Sequence, residues 1–267
     1  MYILYCMNQI NVVFLLVKIS NMMRLVAGYI FTPVYYAAFG LLLVIFHPVQ
    51  MIARRLGGYE AHLKSVIALN GLIMMSMRII GAKVRYHGLE KLPDDRPLIV
   101  ASNHQSMFDI PAFIYGFHKF HPKFVSKIEL ASGIPSISYN LKHSGSALID
   151  RKSGSQAIKE IIRLGRMIEK NKYAVCIFPE GTRSRTGELR PFQPAGVKSL
   201  LKAAPSSLLI PFAIDGHSEL MEKGYFPLKY GVKINYSVLD PIEPGNLDAE
   251  VLVEKCREAI EECLSKS

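Results

Sequence analysis

The 267 residues carry 32 Lys and Arg against 22 Asp and Glu, a formal charge of +10, and half of them are hydrophobic. So much apolar surface excludes a disordered chain. Basic and hydrophobic together, the composition points to an anionic membrane surface, a phosphate-bearing substrate or an acidic partner.

The basic residues are scattered and form no nucleic-acid motif, so nucleic acid is not expected as a partner. Cys6, Cys176, Cys256 and Cys263 have neither CxxC nor disulfide-framework spacing. No metal site is expected from them, and a reducing compartment is the default.

The first 22 residues add little, and Met22 or Met23, just ahead of Arg24, is an expected alternative start. From Leu25 to Ala53 there is no formally charged residue. This run exceeds the ~20 apolar residues that cross a bilayer core. It is too long for a cleaved signal peptide and lacks a small-residue cleavage pattern. Pro33 and Pro48 bracket its most hydrophobic part, and Arg54 and Arg55 follow, which favours a cytoplasmic C-terminal side. A second apolar segment, residues 65–80, is short for a span and flanked by Lys64, Arg78 and Lys83. It is expected as an interfacial or partly inserted helix, with a core helix as the alternative. Residues 1–82 thus form a membrane-associated helical part.

Residues 83–267 have the texture of a soluble domain. Strands are predicted at Leu98–Ala101, Lys123–Ser126, Ala147–Ile149, Tyr173–Phe178, Leu208–Ile214 and Val232–Leu239. Pro211 inside the fifth suggests an edge or a bulge. Between strands, Ser155 to Glu169 places Ile158, Ile161, Ile162, Met167 and Ile168 largely on one helical face. A last helix around Val251 to Leu264 would be capped by Asn246 or Asp248. Alternating strands and helices imply an α/β domain with a mixed, largely parallel central sheet flanked by helices.

Three strand ends carry chemistry. After Leu98–Ala101 the chain reads Ser-Asn-His-Gln-Ser-Met-Phe-Asp, which sets His104 and Asp109 five residues apart. An imidazole and a carboxylate there suit a general base and its orienter, and equally a cap histidine beside a helix-start aspartate. After Tyr173–Phe178 comes Pro-Glu-Gly-Thr-Arg-Ser-Arg, concentrating Glu180, Thr182, Arg183, Ser184 and Arg185 on one loop. Two guanidinium groups with hydroxyls and free N–H groups suit a phosphate, and equally a solvated charged loop. Glu180 could hold a guanidinium in place. After Ala147–Ile149, Asp150 and Arg151 form a third charged pair or a plain surface arrangement.

Spacing removes other chemistries. There is no G-x-S-x-G elbow, no H-E-x-x-H helix, no G-x-G-x-x-G, and Glu188 stands where a P-loop needs lysine. With no nucleophile in its own motif, His104 suits activation of a hydroxyl on the substrate.

Together these stretches resemble the glycerolipid acyltransferase family over roughly Lys83 to Pro241. Asn103 to Asp109 looks like its N-H-x-x-x-x-D block, Gly145 to Arg151 like the block ending I-D-R, and Phe178 to Ser184 like F-P-E-G-T-R-S. Ile210-Pro211 resembles the fourth. The resemblance implies a glycerol-3-phosphate acyltransferase-like fold and transfer of a fatty acyl group from acyl-CoA or acyl carrier protein to lysophosphatidic acid (1-acyl-glycerol-3-phosphate), giving phosphatidic acid. It implies His104 as base with Asp109 orienting it, and Glu180, Gly181, Thr182 and Arg183 on the acceptor phosphate, assisted by Arg151. No cofactor, metal or acyl-enzyme is implied, and the partners are the two substrates and the phospholipid bilayer, with the active domain on its cytoplasmic side. One departure is Phe192-Gln-Pro-Ala-Gly196, where many members carry a lysine, as in F-K-x-G. A different lysolipid or hydroxylated acceptor is therefore the second expectation. A non-catalytic lipid- or carrier-binding module is the third, and the His104–Asp109 pair argues against it.

Overall fold

Strand β2 (Leu98–Ser102) is fully buried and lies inside a seven-stranded sheet of order β1-β7-β6-β2-β5-β3-β4. The computed structural model describes residues 2–184 and 186–266, with side chains at residue 16 and from residue 18 onward. The other strands are β1 (Lys83–His87), β3 (Lys123–Lys127), β4 (Ala147–Ile149), β5 (Ala174–Ile177), β6 (Leu208–Asp215) and β7 (Lys233–Val238). All neighbouring pairs are parallel except β6 with β7. The sheet is thus mixed and largely parallel.

The period of two along each strand divides two apolar layers. Leu98, Val100, Ala174, Cys176, Ile210 and Phe212 face one layer, with α2 (Asp109–Gly116) and part of α1 (Tyr2–Ser76). Ile99, Ala101, Val175, Ile177, Leu209 and Ala213 face the other. That layer is closed by α4 (Gly154–Asn171), α5 (Pro194–Ala203) and α7 (Ala249–Ser265). The predicted helix over 155–169 extends by a residue or two at each end, and Asp248 takes the cap position of α7 without a side-chain capping bond.

The six predicted strands are present with ends shifted by no more than a residue or two. β1 was not predicted. Its Lys-Val-Arg-Tyr-His pattern alternates exposed and half-buried, as an edge strand does. Pro211, expected at an edge or a bulge, lies in β6 between β2 and β7, beside a bulge and not at an edge. Its carbonyl accepts from Leu239 N at 3.0 Å, and Leu209 pairs with Ile242 on the same side. Between them Asp240 and Pro241 stand opposite the single residue Ile210, so the partner chain carries one extra residue beside the proline.

Helix α1 breaks at Gly58 (φ 65°, ψ −150°), a conformation open to glycine alone at low cost. Before the break, the long apolar run docks along the domain on one face. Leu228 N donates to Thr32 Oγ1 at 2.9 Å, Tyr36 OH to Tyr225 O at 2.8 Å, and Ser136 Oγ to Leu43 O at 2.7 Å. Its other face leaves Val26, Ile30, Val34, Leu41, Val44 and Ile52 exposed. After the break, the segment expected at a membrane interface joins the core: Val66, Leu69, Ile73, Met74, Met77 and Ile80 are buried. Val66, Met74, Met77 and Ile80 lie in the layer shared with α2 and the sheet, while Leu69 and Ile73 pack with Leu43 from before the break and against Ile137 of α3 (Ile137–His143).

Candidate active site

Strands β2, β3, β4, β5 and β6 run parallel, so the loops that follow them share one edge of the sheet. In such sheets ligands bind outside the carboxyl ends of the strands. The order β6-β2-β5 places the loop carrying His104 between the loops after β5 and β6. Asn103 joins β2 to β6: its Nδ2 donates to Ile214 O and its Oδ1 accepts from Ile214 N, both at 2.8 Å. A side-chain amide thereby continues the sheet pairing where the backbone turns away.

The loop then folds back on the first residue of α2. His104 Nδ1 lies 2.7 Å from Asp109 Oδ2, which also accepts from Gln105 N at 2.8 Å and Ser106 N at 3.0 Å. The other oxygen, Oδ1, meets Ser106 Oγ at 3.1 Å and His217 Nδ1 at 2.5 Å. Asp109 is wholly buried. Burial alone pushes its carboxyl up, but the hydrogen bonds to His104 and His217 hold it well below the usual carboxylate range. His104 Nε2 makes no hydrogen bond among the described residues, and Phe178 stacks on the ring with centroids 4.0 Å apart.

The loop after β5 is tied to this turn at both backbone groups of His104. His104 N donates to Glu180 Oε1 at 3.0 Å, and Ser184 N donates to His104 O at 2.7 Å. Gly181, Thr182 and Arg183 project outward between these ties. Glu180 does not join them: its carboxyl is buried and Oε2 has no hydrogen-bond partner. Burial pushes this carboxyl up to about 7 against the His104 bond and the charge of Arg190. An acid turned inward beneath the loop holds His104, and does not face outward with Gly181, Thr182 and Arg183 as the resemblance implied. Arg183 Nη1 reaches Tyr225 OH at 3.4 Å, and Tyr225 is the residue whose carbonyl Tyr36 of α1 grips. Arg185 lies outside the described residues.

Arg151 stands apart. It is exposed beyond β4, and β5 and β3 separate β4 from β2, a spacing of roughly 14 Å at ~4.8 Å per strand. Asp150 Oδ1 accepts from Lys152 N at 2.8 Å rather than pairing with Arg151, so this pair is a surface turn. Among the described residues no group of three or more His, Cys, Asp or Glu is placed to hold a metal ion.

Sequence reasoning missed His217. It opens α6 (His217–Leu220) directly after Gly216, whose φ of 91° and close approach to Lys233 O admit no side chain. Gln105 Oε1 accepts from His217 N at 3.0 Å and Ser218 N at 3.1 Å, which clamps the turn to the His104 loop. The one local signal was a Gly-His step at the end of an apolar strand.

Comparison with known proteins bears on this edge. Residues 83–215, spanning β1 to β6 and both tied loops, match the sequence model described as Acyltransferase. The chain belongs to the acyltransferase family. It is 28% identical over 213 residues to a 1-acyl-sn-glycerol-3-phosphate acyltransferase of Saccharomyces cerevisiae, covering 78% of this chain and 68% of that one. It is also 28% identical over 144 residues to an enzyme of the same name in Borreliella burgdorferi, covering 54% and 56%. Alignments to these and other curated relatives thus span about half to two thirds of their length. The crystal structure of the acyltransferase PlsC from Thermotoga maritima superposes with a TM-score of 0.64 over 93% of this chain and 95% of that one. At 22% identity it shows a shared fold, and coverage of 93% means that this fold takes in most of α1.

Proposed function

We propose that this acyltransferase moves a fatty acyl group from an acyl thioester to the free sn-2 hydroxyl of 1-acyl-glycerol-3-phosphate, giving phosphatidic acid. The observation that carries this reading is His104 Nδ1 held 2.7 Å from the buried Asp109 carboxylate while Nε2 is left free. Nε2 takes the proton of the acceptor hydroxyl as the oxygen attacks the thioester carbonyl. The C–S bond then breaks, and the imidazolium returns its proton to the departing thiolate. Asp109 supports the positive charge that His104 carries between these transfers. No acyl-enzyme is formed.

Gly181, Thr182 and Arg183 supply N–H, hydroxyl and guanidinium groups to the acceptor phosphate, at the rim of the loop that grips His104. Placing phosphate and hydroxyl on one clamped turn is where most of the catalysis arises, since ideal orientation is worth ~7–11 kcal/mol. The exposed apolar face of α1 seats the domain on the cytoplasmic face of a bilayer, where acceptor and product reside. Acyl-CoA or acyl carrier protein is drawn by the +10 charge.

A second acceptor reading follows from Gln193-Pro194-Ala195, which occupies the start of α5 where a lysine is common. With no lysine to meet the phosphate there, a lysolipid with another head group is the alternative. Purified full-length protein in mixed micelles, labelled acyl-CoA and a panel of lysophosphatidate, lysophosphatidylcholine, lysophosphatidylethanolamine and glycerol-3-phosphate decide between them. Transfer to lysophosphatidate at ten times the rate of any other acceptor is expected. Preference for another lysolipid selects the alternative, and no transfer to any acceptor rejects the acyltransferase reading.

A further inference from the structure

Asp109 is gripped by two imidazoles. His104 approaches one carboxylate oxygen and His217 the other, at 2.7 and 2.5 Å. His217 is completely buried, and so is Tyr236 of β7, whose hydroxyl lies 2.8 Å from His217 Nε2. We propose that Tyr236 and His217 are positioning residues that fix Asp109 as the anion serving His104, with Tyr236 choosing the tautomer of His217. This inference rests on His104 being the base.

Proton counting leads to it. The Tyr236 hydroxyl has one hydrogen, and its hydrogen-bond partner among the described residues is His217 Nε2. Burial and neighbouring negative groups keep that phenol protonated. If it donates, Nε2 presents a lone pair and the single proton of a neutral His217 sits on Nδ1. The opposite end of the ring makes the same demand, since a bare Nδ1 would set its lone pair against those of Asp109 Oδ1. Nδ1–H therefore donates to Asp109, with Ser106 Oγ 2.8 Å away beside it. Ser106 accepts from Phe108 N at 3.0 Å and directs its own hydrogen to Oδ1.

Oδ1 is thereby occupied by His217 and Ser106, and the carboxylate cannot rotate without losing both. Oδ2 is left to His104 and two loop N–H groups. A neutral His217 adds a donor and no charge, so the full negative charge of Asp109 remains for His104 when it takes up the substrate proton. The ionisable groups packed around His217 are Asp109 from α2, Tyr236 from β7 and, behind Tyr236, Tyr86 from β1 and Tyr35 from α1. None of them is a lysine or arginine that would compete with His104 for Asp109.

Three variants separate this role from simple packing. His217→Asn keeps an N–H at the Nδ1 position, His217→Ala removes it, and Tyr236→Phe removes the hydroxyl alone. Activity on lysophosphatidate is measured against pH. Nitrogen-15 histidine NMR of the micellar protein is measured beside it, with the His217 signal identified by its loss in His217→Asn. The wild type is expected to show the His217 proton on Nδ1 and a lone pair on Nε2. His217→Ala should lower kcat about 10- to 100-fold with the acceptor KM within twofold, and His217→Asn should recover most of the loss. Tyr236→Phe removes the donor to Nε2 and should move the His217 nitrogen signals away from the pure Nδ1–H pattern and lower kcat. An Nε2–H tautomer in the wild type, an unchanged kcat in His217→Ala, or no recovery in His217→Asn would each overturn the proposal. Should the wild type transfer nothing to any acceptor, the proposed function fails on that result, while the tautomer and its dependence on Tyr236 are still judged by NMR.

Discussion

The backbone N–H of His104 donates to Glu180 Oε1 at 3.0 Å, so a carboxyl from the loop after β5 grips the turn after β2. The bond crosses from one parallel strand's loop to its neighbour's and leaves Glu180 Oε2 buried without a partner. It makes the acid of the Glu-Gly-Thr-Arg run a support beneath His104 rather than a ligand beside Arg183.

A pH dependence follows. The Glu180 carboxyl ionises near 4.5 ordinarily and near 7 in the fold, where burial raises it. Between these values the folded state binds more protons than the unfolded chain. Its contribution is most favourable below about 4.5 and is lost as pH rises through about 7. Glu180→Gln keeps an oxygen for His104 N and abolishes the ionisation. Relative to wild type the variant should gain about 1–2 kcal/mol between pH 4.5 and 8, after allowance for solvent screening. Urea midpoints at pH 5 and pH 8 measure it, and a variant that loses ground as pH rises would contradict the assignment.

His104→Ala should lower acyl transfer by on the order of 10³-fold while the protein still sediments with anionic vesicles. Asp109→Asn should cost about as much, because a neutral amide cannot support the imidazolium and frees the tautomer of His104. Rates on micellar lysophosphatidate give both effects. A His104→Ala enzyme of full activity removes the base from the mechanism.

Arg183→Ala should act on binding. Losing charge-assisted bonds worth ~1.5–3 kcal/mol raises the acceptor KM roughly 10- to 100-fold with little change in kcat. Arg151→Ala, three strands from His104, should leave the acceptor KM within twofold. An unchanged KM in Arg183→Ala, or a large rise in Arg151→Ala, would move the phosphate to the other arginine.

The membrane face has a clean optical test, since the chain contains no tryptophan. Ile30→Trp on the exposed face of α1 should shift its emission to the blue on anionic vesicles and be quenched by brominated lipid. Leu247→Trp, just before α7 on the opposite side of the sheet, should do neither. Equal shifts at both positions would show that α1 does not define the lipid face.

Local chemistry made much of this legible in the residues themselves. Apolar runs broken by turn residues marked six of the seven strands. The five-residue step from His104 to Asp109 brought two partners together within one turn, so their bond depends on nothing distant. The outward loop after β5 was likewise readable, because Gly181, Thr182 and Arg183 are consecutive. Strand order was not readable, because parallel pairing joins segments tens of residues apart and periodicity within a strand carries no record of its neighbour. Only the full order β1-β7-β6-β2-β5-β3-β4 sets Glu180 under His104 and His217 against Asp109, leaves Arg151 at the far edge, and holds Pro211 beside a bulge in the middle of the sheet. Residues 65–80 show the same division. Their apolar stripe was plain, but whether lipid or α2 covers such a stripe is decided by what the rest of the chain brings to it, and here it brings the sheet domain.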